Sequence, residues 1–540
     1  MQYHGSNVAY VVLATKFLFS KLFGKKTSNI FSIIMIVVFI LVSGSSASVV
    51  RAGIMAIIVI ISDMIFKKPD TLSSLAFSAL LILIFNPYTI FDIGFIMSFG
   101  GTIGIILFNN KVANYLKSRI KRPNKLCDYI IDSFSVTASA QIILIPIMWY
   151  YFNTISIVSF LTNLLVGVLA CVITIAGIVT YFVGLINIPI ASIISYPISL
   201  FIELIIQISR ICSSIPFGNL TIPTPSISII FIYYLFVASI YLKNDKKHNK
   251  VILIFKTIIY LFVVINLIIY IIPKNYLEVN FVDVGQGDCI HIKTSHNKNI
   301  LIDSGGSEQS SYNVGTNILV PYLLDNTNGI IDTIIISHFH EDHAEGAIEV
   351  LKTLKVNRII IGTQPKDTEL YTEFLKISKE KNIPIFTCTS NNSFYIDGIK
   401  LEVLYPKKDL DINEDLNNNS MIMKANIYGT SILFTGDAED LEENELLKSY
   451  SSNLEELDVD ILKVGHHGSK SSSTEEFLKA VSPNISIISC GVNNKFGHPH
   501  KAALERIEKY CKNIFRTDQS GEISLKIYSN SKISIKKNIE

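Results

Sequence analysis

The segment SHFHEDHAEG, residues 337–346, gathers three imidazoles and a carboxylate within six positions: His338, His340, Asp342 and His343. It follows the apolar run TIIIS and precedes a helical pattern. A tight loop there can aim His338 and His340 at one ion and Asp342 and His343 at a second. Imidazole and carboxylate donors suit Zn, Mn or Fe, and positions left open admit water. Two later clusters extend the pattern. LFTGDAE ends an apolar strand at Asp437, a carboxylate placed to bridge two ions. KVGHHGS ends another at His466 and His467, one of which supplies a further ligand. A lone GD is usually a turn. Three such clusters in this order, each at a strand end, point to metal-dependent hydrolysis, with water made nucleophilic near neutral pH.

Asp342 and Asp437 are therefore candidate catalytic groups as well as ligands, and His498 in GHPH is a candidate phosphate contact or proton donor. Asp303 in LIDSGG is placed to fix an imidazole tautomer from behind. Asp283, Gln286 and Asp288 of DVGQGD either border a substrate or form a turn. No histidine lies between Ala344 and Asp437, and the nearest polar residues to stand in are Asn418, Asn419 and Ser420. One tightly held ion, or Mn in preference to Zn, is then as consistent as a pair.

The elements that must position these groups begin at Tyr276. Short apolar strands broken by glycine turns alternate with helical stretches at 367–380, 440–449, 474–481 and 501–512, a pattern that predicts a layered α/β sandwich. The expected domains are 1–275, multi-pass and helical, and 276–540. Charge divides the same way. Residues 1–275 hold 20 Lys and Arg against 7 Asp and Glu, leaving 27 and 38 for the remainder, so the formal net charge of +2 conceals two opposed halves.

A bilayer span needs about 20 mostly apolar residues. Candidates fall near 8–23, 30–43, 49–66, 71–86, 90–109, 130–152, 155–185, 188–209, 226–242 and 251–273. The 155–185 segment reads equally as one helix, a re-entrant pair or two spans. From Ser133 to Ile202 no residue is charged. Basic loops at 21–26, 67–70, 117–125 and 243–250 alternate with uncharged ones, which places the basic loops in the cytoplasm and residues 276–540 outside. Arg51 near a span end is expected to snorkel, and the glycines of SFGGTIG (Gly100, Gly101, Gly104) to pack helices closely. The seven cysteines carry no CxxC pair and predict no cysteine zinc site.

The order HxHxDH, then Asp, then His resembles the metallo-β-lactamase fold, which implies an αββα sandwich with metals at its edge. More specific stretches are FVDVGQGDCIHI, LIDSGG, ISHFHEDHAEG, NNNSMIM, LFTGDAE, LKVGHHGS, SCGVNNKFGHPH and FRTDQSGEI. With SVVRAGIMAIIVIIS, NPYTIFDIGFIMSFGGTIGII and QIILIPIMWYYFNTISIVSFLTNLL before them, they resemble the ComEC family of DNA internalization competence proteins across nearly the whole chain. That resemblance implies passage of single-stranded DNA through the cytoplasmic membrane during natural transformation. It also implies a multi-pass membrane location among lipid and other competence machinery. Family members begin with further spans and a soluble loop domain, so this chain is expected to be shortened at its N-terminus.

The reading that follows is a phosphodiesterase or nuclease, holding one or two divalent ions (Zn or Mn), that degrades one strand of double-stranded DNA while the other enters a channel. Phosphate neutralisation normally supplies DNA affinity, so Lys463, Lys470, Lys495 and Arg516 are the expected offsets to the domain's acidity. Two alternatives stay open: a membrane-tethered metallohydrolase of small molecules, and a catalytically weak domain that docks DNA or a partner.

Overall fold

The computed structural model describes residues 2–120, 124–243, 248–307, 312–363, 368–407 and 416–539. Parts of two basic loops, 121–123 and 244–247, lie outside the described residues. Contacts divide the chain into two units, Met1–Phe255 and Lys256–Glu540.

The first unit is helical. Among the described residues of the whole chain, seven helices are long and apolar enough to cross a membrane, and Thr71–Phe85 and Ile227–Leu242 are shorter apolar helices. The candidates 8–23 and 30–43 run together as Gln2–Val42, broken at Gly24, whose φ of 76° interrupts the helix. The ambiguous segment 155–185 contains the single helix Ser159–Gly184. Its apolar window and that of Ile188–Ser213 are each only 6 % buried within the chain, so most of that surface requires an apolar solvent. This is a multi-pass membrane protein.

A short strand, Thr154–Ser156, pairs antiparallel with Asn219–Thr221. The ribbon is pinned by Asn153, left-handed at φ 53°, whose side-chain amide donates to Thr224 Oγ1 at 2.6 Å. The Trp149 indole N–H donates to the Pro223 carbonyl at 2.7 Å.

Two polar expectations for this unit separate. Arg51 does not reach for an interface. It donates to Ser98 Oγ at 2.8 Å and to Thr102 Oγ1, both on Ile93–Lys117, satisfying the guanidinium between helices. The glycine face does pack: a Cβ on Gly104 would overlap the Ser139 carbonyl, so Ile93–Lys117 and Lys125–Phe152 touch backbone to backbone.

In the second unit, eight strands form one sheet in the order Ile385–Thr387, Ile359–Ile361, Thr333–Ile336, Asn299–Ile302, Ile290–Lys293, Tyr276–Phe281, Ile523–Tyr528, Ile533–Lys537. Seven form the other: Ser393–Ile396, Ile399–Tyr405, Ile422–Ile427, Thr430–Phe434, Ile461–Lys463, Ile485–Ile488, Asn513–Arg516. Strand periodicity of two assigns the faces. Ile300 and Ile302 enter the core between the sheets, with Ile335, Ile461 and Ile487. Leu301, Ile334 and Ile336 turn the other way, to a core shared with helix Glu341–Thr353. On the second sheet, Leu462 and Ile488 likewise turn outward, to a core shared with Glu475–Val481 and Lys501–Tyr510. The result is the αββα sandwich.

Asn299–Ile302 runs parallel to Thr333–Ile336, and Thr430–Phe434, Ile461–Lys463 and Ile485–Ile488 run parallel in series. Parallel neighbours end on one edge, so the residues following them collect there.

Gly104→Leu should cost about 1–3 kcal/mol through overpacking against backbone. It should lower the thermal midpoint of the detergent-solubilised chain. Gly177→Leu, where a Cβ meets open space, should leave that midpoint near its starting value.

Candidate metal centre

Five loops leave that edge and converge. Asp342, His343, Asp437 and His467 each offer one donor atom, all within 4.8 Å of one another. His343 Nε2 stands 3.0 Å from Asp437 Oδ1. His467 Nε2 is 3.5 Å from that same oxygen and 3.4 Å from Asp342 Oδ2. These buried nitrogens and Asp437 Oδ1 nonetheless make no well-formed hydrogen bond. Lone pairs brought so close without hydrogen bonds are a cradle for a cation, so the donor set fits a divalent ion.

Outer partners aim both imidazoles. Asp303 Oδ2 lies 3.0 Å from His343 Nδ1, and the Ser489 carbonyl lies 2.9 Å from His467 Nδ1. Each outer acceptor takes the Nδ1 proton and leaves Nε2 facing inward as a donor atom. Asp303 is itself held in a left-handed conformation, φ 54°, and accepts from the Ser337 N–H and hydroxyl, both at 2.8 Å.

The local field favours positive charge at these four donors. Burial alone would push the Asp437 carboxyl up, but the His343 and His467 imidazoles outweigh it and hold it well below the carboxylate range. Burial likewise pushes His467 down, yet Asp437 and Asp288 raise it to about 10. His343 is raised in the same sense by Asp437, Asp342 and Asp303 against its burial.

His338 and His340 lie beside this group rather than in it. His338 Nε2 faces His340 Nδ1 at 3.2 Å, and His338 Nδ1 has the Ser337 and Ser420 hydroxyls at 3.1 and 3.4 Å. Burial, reinforced by His343, pushes His338 well below the imidazole range. The Ser420 hydroxyl also accepts from Asp437 N–H at 3.0 Å. Asn419 is buried beside Ser420, and the Asn418 carbonyl accepts from the Tyr405 hydroxyl at 3.0 Å.

Of the adjacent histidines, His467 is in the four-donor group. His466 Nε2 is 3.8 Å from Asp437 Oδ2, and its Nδ1 is held by Glu439 at 2.5 Å. Both are left-handed, at φ 46° and 54°, which turns the two rings to different neighbours. His498 stands at the rim, half-buried, its ring centroid 5.4 Å from His466 and stacked on Phe496 at 5.7 Å. Burial and the neighbouring His467, His466 and His500 lower it to about 4.

Asp288 is buried in an ion pair with Lys463, itself fully buried. Burial pushes the Asp288 carboxyl up, but Lys463 and His467 bring it to about 2. Lys463 is therefore a structural counter-ion and not a DNA contact. Arg516 is tied to Asp518 at 2.6 Å, which leaves Lys470 and Lys495 as exposed cations near the site. Gln286 accepts from Gly491 N–H at 3.2 Å, and Asp283 accepts from Gly285 N–H, forming its own turn. Gly287, at φ 127°, touches the Asp342 carbonyl so closely that any Cβ would overlap it. Sequence reading missed Glu439; its carboxylate in GDAE had no partner visible until the loops met.

Residues 4–247 match the family described as Competence protein, and residues 282–492 match the Metallo-beta-lactamase superfamily. ComE operon protein 3 of Bacillus subtilis is 26 % identical over 532 residues, covering 94 % of this chain and 64 % of that relative. Recombination protein 2 of Haemophilus influenzae is 29 % identical over 48 % of this chain and 30 % of its own length. Competence protein ComA of Neisseria gonorrhoeae is 29 % identical over 47 % and 32 %. The chain thus spans under two thirds of each of these relatives. The metallo-β-lactamase fold protein YhfI of Bacillus subtilis aligns over 44 % of this chain and 95 % of its own, at 11 % identity and a TM-score of 0.30.

Asp303→Asn removes the charge behind His343 without changing its size. Divalent-metal affinity should fall about 10–100-fold, as losses of such outer partners do. Competition against a chromogenic chelator checks this, with Asp332→Asn, remote from the cluster, expected to match the unaltered chain.

Proposed function

We propose that this chain, a ComEC-type protein by the pairing and order of its two domains, takes part in DNA uptake during natural transformation. Its membrane unit passes one DNA strand, and its metallo-β-lactamase unit is a metal-dependent phosphodiesterase that removes the other. The observation that carries this reading is the four-donor cluster at the sheet edge of a chain whose residues 4–247 match the Competence protein family.

Within that site, the reading divides the labour among named groups. Asp342, His343, Asp437 and His467 would hold the ion, Zn or Mn. When bound, a divalent ion there would supply Lewis acidity toward a phosphoryl oxygen and lower the pKa of water. Asp303 and the Ser489 carbonyl keep His343 and His467 aimed inward. Asp342, the most exposed carboxylate of the group at 18 %, also lines the neighbouring cavity, so it is the one placed to receive a proton from the attacking water. His498, neutral at the rim, donates a ring N–H toward the scissile phosphate or its leaving oxygen. With His338 and His340 short of a third imidazole, a single ion is the working state.

Charge supports placing this unit outside the cell. The basic loops at 67–70, 117–125 and 243–250, with the basic kink at 21–26 within Gln2–Val42, share the cytoplasmic face in alternating crossings only if segment 155–185 crosses once. Its single helix Ser159–Gly184 supports that reading. The ribbon between Thr154–Ser156 and Asn219–Thr221 keeps two uncharged loops on one side, as that alternation requires. Counting on through Ile227–Leu242 and Asn249–Ile271 brings residues 276–540 to the outer face.

The full chain in detergent, incubated with single- or double-stranded DNA and Mn, Zn, Mg or chelator, tests the enzymatic part. Cleavage should require a divalent ion and fall on the order of 100-fold or more in Asp342→Ala. Absence of cutting with every metal, in protein that still binds DNA, would favour a docking role instead.

A further inference from the structure

A cavity of about 330 Å³ opens beside the metal centre, with Asp342 shared between the two. Val284, Val314 and Ile318 give it an apolar lining, and Tyr312 and Phe496 add two aromatic rings. Those rings are 51 % and 44 % exposed. Five aromatic side chains of the second unit are that open among the described residues, and two of them line this one cavity. Exposed rings at a concave site are surface held ready for another flat apolar group.

Its polar groups are few and selective. Gln286 spends its carbonyl oxygen on Gly491 N–H, which leaves the amide NH2 as a donor. Lys495 also lines the cavity, makes no ion pair among the described residues, and carries its ammonium 5.1 Å from the Phe496 ring centroid. One amide donor, one cation, two rings and an apolar lining describe a site for a single nucleotide unit. The volume sits at the low end of the ~300–1,000 Å³ found for small-ligand sites, far too small for a base pair with its backbones.

We infer that this cavity is a nucleobase subsite. One unpaired base of the DNA strand stacks against Tyr312 and Phe496, with Lys495 on an adjoining phosphate, while the next phosphodiester lies at Asp342. The inference rests on the reading that DNA is the substrate, and it names the form in which DNA is held: single-stranded, or with a base extruded.

The charge balance requires some such device. Residues 276–540 are acidic, Lys463 is buried against Asp288, and Arg516 is committed to Asp518. Of the four cations expected to offset that acidity, only Lys470 and Lys495 stay exposed, so the usual electrostatic source of affinity is weak at this site. Stacking supplies about 1–3 kcal/mol per base without needing positive charge, and every base has a face to offer. His498, its ring centroid 5.7 Å from that of Phe496, connects this wall of the cavity to the rim of the metal centre.

The test uses the full chain in detergent with chelator present, so that binding is read without turnover. The probe is a short single-stranded oligonucleotide carrying one 2-aminopurine, moved through each position in turn. At one position its fluorescence should be quenched on binding. Tyr312→Ala and Phe496→Ala should each relieve the quenching and weaken binding about 5–150-fold, the range equivalent to that stacking energy. Phe496→Tyr should preserve both. An abasic site at that position should weaken the unaltered chain to the level of Phe496→Ala and cost the variant nothing further. Alanine variants that bind and quench like the unaltered chain would overturn the subsite, as would failure of the oligonucleotide to bind. Quenched, ring-dependent binding by a protein that never cuts DNA would sustain the subsite and remove the nuclease reading. Metal-dependent cutting indifferent to both rings would do the reverse.

Discussion

Four carboxylates, Asp288, Asp303, Asp342 and Asp437, share one edge of the sandwich, and three of them are at most 2 % exposed. Burying like charges together is unfavourable unless cations accompany them. Much of the local architecture answers that requirement. Lys463 is drawn fully inside to face Asp288. Ser337 offers two donors to Asp303. His343 and His467 sit between carboxylates, and the remaining negative field centres on Asp342, His343, Asp437 and His467. The same imbalance that burdens the folded chain gives it affinity for a divalent ion.

Meeting that requirement constrains the backbone as well. Parallel strands deliver five loops to one edge, but the donors converge only because the loops take conformations ordinary residues avoid. Asp303, His466 and His467 are all left-handed. Gly287 lets the DVGQGD loop lie directly on the Asp342 carbonyl. These positions store local strain that the surrounding cores hold in place, which fits a site built to keep donors apart from hydrogen-bond partners they would otherwise find.

Much of this was legible in the sequence, for physical reasons that differ by residue. HxHxDH, Asp437 and the paired histidines stood out because imidazoles and carboxylates rarely end apolar strands without cause. The two-sheet sandwich was legible from alternating apolar runs, and the glycine face of SFGGTIG from its spacing. Lys463 was misread as a DNA contact: a lysine in LKVG advertises charge, while its burial depends on Asp288, 175 positions earlier in the chain. Arg51 was misread for the same reason, since Ser98 and Thr102 lie on another helix. The 155–185 segment was ambiguous because unbroken apolarity records no turns; the ribbon that fixes its start is made with residues 219–221. Long-range partners, not local pattern, decide each of these cases.

The central claim is that the fold prepares one cation site from Asp342, His343, Asp437 and His467, with His338 and His340 outside it. Counting tightly bound divalent ions per chain by native mass spectrometry of the detergent-solubilised protein, beside Asp437→Ala and His338→Ala, tests this most directly. The account predicts one ion in the unaltered chain, none in Asp437→Ala and one still in His338→Ala. Two ions, or an ion lost with His338 but kept without Asp437, would contradict it.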